Sequence, residues 1–249
     1  MQVTLANWRA SFRRMQNAFL EWLRYEKQLR AFRQEFQEYQ RQNTNGSFLL
    51  SEKNLYPCLN DRTEQTLVEP TYFYQDAWAF EKIVKQHPQQ HVDVGSHHKF
   101  VALLSKVLPV TMVDLRPLSL PLDTLKFKKG SILELPFENG CVESLSSLCV
   151  VEHIGLGRYG DPIDPNGSEK AIHELKRIVQ PGGSLYLSLP LDDKNRIYFN
   201  AHRAFKEEYV LKLFEPFQIV ECRYIYGQNF GDRHKQGFGI GCYHLRCRQ

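Results

Sequence analysis

No apolar run in this chain of 249 residues approaches the roughly 20 residues that a membrane-spanning helix needs. The opening MQVTLANWRASFRR has no apolar core ahead of its charges, so no secretory signal is expected there. Cysteine is sparse. The six residues include no CxxC spacing, which points to reduced thiols and a cytoplasmic setting rather than a disulfide framework. Glycine and proline are missing altogether from the first 42 residues. Net charge is small as well: Lys+Arg number 32 against Asp+Glu 28, a formal +4. A hydrophobic share of 42% and a charged share of 24% are globular values, which sets aside disorder, collagen and a pure coiled coil.

The small charge excess is localised. Eight basic and four acidic residues fall in the first 42, so that segment carries all of it. The remaining 207 residues hold 24 of each sign. No net basic field draws a polyanion to them, which argues against a nucleic-acid partner. In the first segment Trp8, Phe12, Met15, Phe19, Trp22, Leu23, Leu29, Phe32 and Phe36 recur mostly at spacings of three and four. That is an amphipathic helix, roughly 50 Å long at about 1.5 Å per residue, stopped at Asn43-Thr44-Asn45-Gly46. Glu26 and Arg33 interrupt its seam. It reads as a packed arm or a homodimer helix, with peripheral membrane contact a further use of such a face.

Three regions follow: the arm at 1–43, a helical and loop cap at 44–90 with a helix from Gln75 to Gln86, and an α/β domain at 91–249. In the last, HVDV is a buried strand and Phe100 to Val107 a helix. VTMVDL is the second strand, a third lies near Lys126, and a fourth runs from Leu145 to Val151. Ser168 to Val179 is a helix and SLYLSLPL the fifth strand. Alternation of this kind predicts a parallel sheet covered on both faces. FQIVECRYIY and GFGIGCYHLRC, with little between them, predict an antiparallel pair at the sheet edge.

Open α/β sheets bind ligands outside the carboxyl ends of their strands. The first such end is Asp93-Val94-Gly95-Ser96-His97-His98-Lys99, and the next is Val113-Asp114-Leu115. Asp93 and Asp114 stand 21 residues apart, close to the spacing between a nucleotide turn and its ribose-binding acid. A carboxylate at Asp114 suits two ribose hydroxyls. Asp164-Pro165-Asn166-Gly167 reads as a turn, with Ser168 as a helix cap. Nine histidines and six cysteines are too scattered for a metal site, and none is expected.

The stretch GSILELPFENGCVESLSSLCVVEHI followed by HELKRIVQPGGSLYLSLP resembles the class I S-adenosylmethionine-dependent methyltransferases over about residues 90 to 225. The likeness rests on Leu135-Pro136-Phe137, Glu152-His153-Ile154 and Pro181-Gly182-Gly183, in family order and spacing. The wider pattern, with HVDVGS, EHIGLGRYGDPIDP and FNAHR, is similar to an uncharacterised branch catalogued as a domain of unknown function. The resemblance implies a Rossmann-like fold, a mainly parallel seven-stranded sheet ending in an antiparallel pair. It implies S-adenosylmethionine as cofactor. By position Asp93, Gly95, Ser96 and His97 would form the cofactor turn, and Asp114 would hold the ribose. Ser131 and Ile132 would flank the adenine, with Leu148 and Cys149 beside the methionine part. Two glycines of the family turn are replaced here by His97 and Lys99. His97 could hydrogen-bond the methionine carboxylate.

Beyond the fourth strand, His153 and Asp161 are the candidate proton acceptors, and Arg158, Tyr159, His202 and Arg203 the candidate substrate contacts. The leading expectation is methyl transfer to the oxygen of a small or glycan-like acceptor. The replaced glycines favour a different class, a non-catalytic methyltransferase-like module acting through partners. An NAD-type oxidoreductase shares the turn and Asp114, but not the Glu152-His153 and Pro181-Gly182-Gly183 features.

Overall fold

The computed structural model describes every residue except Met1, Asn45 and Pro117, with side chains described from Phe12 onward apart from those positions. The Trp8 side chain and Asn45, read above as part of the seam and of the helix stop, lie outside the described residues. The chain divides into two compact units, Met1–Leu67 and Val68–Gln249. The division falls inside the segment read as a cap.

The first unit is helix α1, Gln2–Gln42, followed by a segment with one 3-10 turn at Glu52–Asn54. Gln28 Nε2 donates to Leu59 O at 2.9 Å, and Arg62 pairs with Glu35 at 2.8 Å. The seam residues Phe12, Met15, Phe19 and Trp22 are each more than half exposed. No helix among the described residues is long and apolar enough to cross a membrane.

The second unit opens with helix α2, Pro70–Gln86. It starts earlier than its apolar period suggests because Pro70 takes the first helical position and the Glu69 carboxylate accepts from Tyr72 N. Then come β1 His91–Val94, α3 His98–Leu104, β2 Val110–Asp114, β3 Leu125–Lys129 and β4 Val142–Leu148. Helix α4 Gly167–Ile178 leads directly into β5 Val179–Leu191. A hairpin of β6 Arg196–Tyr198 and β7 His202–Ala204 precedes α5 Glu207–Leu213, β8 Gln218–Tyr226, β9 Asn229–Gly231 and β10 Gly239–Arg246. The main sheet has the order β3-β2-β1-β4-β5-β10-β8-β9. Strands β1 to β5 are parallel, and β10 is antiparallel to both β5 and β8.

The expected antiparallel pair is present, β10 beside β5 and β8 outside it. Two expectations are corrected. The sheet has eight strands rather than seven, because the three-residue β9 pairs with β8 at the very edge. The fourth strand ends at Leu148, three residues early. Cys149 takes φ 52°, which breaks the extended run, and Val151–His153 form a 3-10 turn.

The core lies on both sheet faces. Leu145, Leu185, Leu187 and Leu189 are fully buried along the central strands. A polar chain crosses this apolar interior. His91 Nδ1 meets Ser144 Oγ and Nε2 meets Ser146 Oγ, both at 2.8 Å. Ser146 Oγ donates to Asp93 Oδ2 at 2.5 Å, and Asp93 Oδ1 accepts from Ser96 N at 3.1 Å. Each buried polar group in it has a partner, which is what makes such burial tolerable. The chain ties β1 to β4 immediately beneath the turn that follows β1.

Candidate functional site

The carboxyl ends of β1, β2 and β4 converge on a cleft of about 790 Å³ with a narrower recess of about 90 Å³ beside it. Gly95, Asp114, Arg116, Cys149, His153 and Tyr159 line both, so the two are one continuous depression. Its main part is within the range of small-molecule and cofactor sites.

Gly95 makes the turn. Its φ is +71°, and a Cβ there would stand 3.0 Å from Val150 Cγ1, so both conformation and space require glycine. Ser96 is buried, and its hydroxyl accepts from Leu148 N at 2.9 Å. His97 caps α3 through a bond from Lys99 N at 3.4 Å and lies 5.1 Å from the Tyr72 ring. Burial holds His97 below the ordinary histidine value, and the adjacent His98 and Lys99 push the same way. Asp114 ends β2. Its Oδ1 accepts from Arg116 N at 2.8 Å. Ile132 lines the recess, and Leu148 and Cys149 line the cleft.

Arg116 and Arg158 both lie against Tyr159, with guanidinium carbons 4.5 Å and 5.1 Å from its ring centre. His202 also lines the cleft, within ring contact of Tyr198 and Phe238. Seven residues read from the sequence as cofactor contacts thus share this depression: Gly95, Ser96, His97, Asp114, Ile132, Leu148 and Cys149. So do His153, Arg158, Tyr159 and His202.

Five readings need correction. Asp93 is fully buried under the turn and bonded to Ser146 and Ser96, so it supports the turn and does not face the cleft. Ser131 is absent from the lining; its hydroxyl accepts from Leu133 N at 3.1 Å and closes a local turn. Asp161 is spent on the loop after β4, where its carboxylate accepts from Gly155 N at 2.7 Å, Gly157 N at 3.4 Å and Tyr159 N at 3.2 Å. Those backbone donors hold its carboxyl below the usual range against a partial burial that opposes them. Arg203, 5% exposed, donates to Ile154 O, Asp164 O, Pro165 O and Ser168 Oγ at 2.6 to 3.2 Å. It clamps the same loop from β7. Ser168 caps no helix: it lies inside α4 and donates to Val151 O at 2.7 Å.

His153 stands in the cleft but is unsuited to accept a proton near neutral pH. Burial pushes it down to about 4, and the Arg158 charge adds to this. Its Nδ1 lies 2.7 Å from Ala201 O, which fixes the proton on Nδ1. Nε2 is left facing Glu152 Oε1 at 3.6 Å. Glu152 itself was given no role from the sequence. It is 2% exposed and lines the cleft, as do Tyr72 from α2 and Arg116 after β2. Only the three-dimensional meeting of α2 with the ends of β2 and β4 identifies that group. No group of three or more His, Cys, Asp or Glu with metal-ligand placement occurs among the described residues.

This order of strands, with β10 inserted antiparallel beside β5, decides the fold. It is the class I S-adenosylmethionine-dependent methyltransferase fold. The N-methyltransferase NodS from Bradyrhizobium japonicum is 15% identical with a TM-score of 0.54, over 72% of this chain and 98% of that one. The 1,6-didemethyltoxoflavin-N1-methyltransferase of Burkholderia thailandensis, solved with that molecule and S-adenosylhomocysteine, is 16% identical with a TM-score of 0.50, over 75% and 94%. The [4+2]-cyclase SpnF is 11% identical with a TM-score of 0.50, over 70% and 81%. Residues 138–229 match the family model DUF268, described as a Caenorhabditis protein of unknown function. No curated protein matches the chain.

Proposed function

We propose that the protein is an S-adenosylmethionine-dependent methyltransferase acting on the hydroxyl of a small or glycan-like acceptor. The observation that carries this reading is Asp114 at the end of β2, on the wall of a cleft whose floor turn keeps its required glycine at Gly95. The residues present fit the cofactor. Asp114 would accept the ribose hydroxyls, and no side chain among the described residues donates to its Oδ2 within hydrogen-bond distance. Gly95 lets the backbone approach closely. Ile132 offers apolar contact for an adenine, and Leu148 and Cys149 lie where the methionine part would run. When bound, the cofactor supplies a methyl group activated by its sulfonium.

The chain's own contribution is alignment. Arg158, Tyr159 and His202 present donors and ring faces that suit a hydroxylated molecule. Holding an acceptor in line can supply roughly 7–11 kcal/mol of barrier reduction. A cytoplasmic setting and a homodimer through α1 complete the proposal. The exposed apolar seam of α1 supports the latter.

Calorimetric titration with S-adenosylmethionine and S-adenosylhomocysteine tests the reading, with NAD in parallel. Both sulfur ligands are expected to bind. Asp114→Ala should weaken them about tenfold or more, the loss of one or two hydrogen bonds to a charged acceptor. Absence of binding at millimolar ligand would overturn the reading in favour of a non-catalytic module.

A further inference from the structure

Five buried side-chain polar atoms among the described residues have no hydrogen-bond partner: Trp78 Nε1, Glu152 Oε2, Glu169 Oε2, Tyr186 OH and Arg246 Nε. Only Glu152 belongs to a residue that lines the cleft. An unsatisfied buried oxygen of this kind costs about 1–3 kcal/mol. A packing residue at this place would do better as an apolar side chain, so the orphan oxygen needs a use.

The groups that share the cleft with Glu152 come from separate parts of the chain. Cys149 follows β4, and its thiol donates to Gln75 Oε1 at 3.2 Å. Tyr72 lines the cleft from α2, and Arg158 from the loop. His153 follows it in the same 3-10 turn, 3.6 Å away. Burial raises both the Cys149 thiol and the Tyr72 phenol, so each keeps its proton at neutral pH. His153 is neutral and bonded through Nδ1 to a carbonyl. Burial pushes Glu152 up to about 8, moderated by the Cys149 side chain and the Arg158 charge. A carboxylate that basic matches the operating range of a general base.

We propose that Glu152 is the catalytic group that receives the acceptor's hydroxyl proton. This rests on the methyltransferase reading. As the acceptor oxygen forms its bond to the methyl carbon, the carbon–sulfur bond breaks and leaves its electron pair on sulfur. The O–H proton moves to the Glu152 carboxylate and departs from there to solvent. His153 is then a positioning residue: it donates to Ala201 O, the carbonyl that also accepts from Arg158.

The test has two readouts that need no identified acceptor. In protein labelled with carbon-13 at glutamate carboxyls, one resonance should titrate near pH 8 in the wild type. Glu152 is the only described glutamate whose value is raised; Glu81, Glu174, Glu208 and Glu221 are lowered. Glu152→Gln should remove that resonance, although the wild-type titration stands without the variant. The second readout is the affinity of phenol, a simple hydroxyl probe, in the presence of S-adenosylhomocysteine. It should rise about fivefold from pH 6 to pH 9 in the wild type and stay level in Glu152→Gln. His97 and His202 are both held below the ordinary histidine value by burial, which moves their titration away from that of Glu152. A wild type in which every glutamate ionises below pH 6 would overturn the proposal, as would equal pH dependence in the variant. Failure of the wild type to bind S-adenosylhomocysteine would instead bring down the methyltransferase reading and the proposal with it.

Discussion

Arg203 offers a sharp test because the sequence and the structure assign it different work. In the structure the residue is 5% exposed, and its guanidinium satisfies three carbonyls and a hydroxyl on the loop from Ile154 to Ser168. Replacement by Met keeps much of the volume and removes every donor. Three part-buried carbonyls then lose a charged partner. Net losses of about 1–1.5 kcal/mol each, partly offset by release of the buried charge, give a destabilisation of roughly 2–4 kcal/mol. For a domain of this size a urea dependence of about 3 kcal/mol per molar converts that into a midpoint shift of about 1 M. The chain has three tryptophans, and Trp78 is 4% exposed in the core of the second unit. In a background with Trp8 and Trp22 changed to Phe, Trp78 fluorescence would follow that unit alone. A midpoint shift smaller than about 0.3 M would refute the clamp and return Arg203 to the candidates for substrate contact.

Gly95→Ala should cost about 1–2 kcal/mol from its positive φ alone, and more from the Val150 methyl 3.0 Å away. The same urea curve measures it, and an unchanged midpoint would show that the turn does not need glycine. His91 makes stability sensitive to acid. Burial holds it at about 3 against 6.5 in the unfolded chain. The folded state therefore refuses a proton that the unfolded chain accepts. Its contribution is complete above about pH 6.5 and is lost as pH falls from there toward 3. His91→Gln should flatten the fall in urea midpoint across that window, and a slope equal to the wild type would exclude His91 as a source.

The order of elements was readable because their periods differ: four buried residues in HVDV, three-and-four spacing in the helices, and Gly or Pro between them. The edge strand β9 was not, since three residues, Asn229, Phe230 and Gly231, carry no period. The early end of β4 was not either, because a left-handed Cys149 has no sequence signature comparable to glycine. At the site, position along the chain correctly brought Gly95, Asp114 and Cys149 to one edge of the sheet. It misled for Asp161 and Arg203. Both are charged residues near that edge, and such residues read as ligand contacts. Yet a loop with positive φ at Gly155, Gly157 and Gly160 turns its peptide groups away from regular pairing. Those amides and carbonyls need partners, and Asp161 and Arg203 supply them. Glu152 escaped notice for the converse reason. It shares the cleft with the start of α2, which is remote in sequence.

The replaced glycines at positions 97 and 99 can be weighed on geometry. Glycine matters in such a turn where φ is positive or where a side chain would collide. Gly95 meets both conditions. His97 does not: its φ is −64° and ψ 130°, extended values open to any residue, and it serves as the N-cap of α3. Lys99 lies in the first turn of α3 and is exposed. The backbone course of the turn thus asks for one glycine, and the chain retains it. What His97 changes is the chemistry of the wall. Its ring, beside Tyr72 and His98, puts polar aromatic surface where a glycine would leave bare backbone. Substitution there alters what the cleft can hold without altering the path of the chain. The retained Gly95 and Asp114 therefore weigh more for cofactor binding than the lost glycines weigh against it.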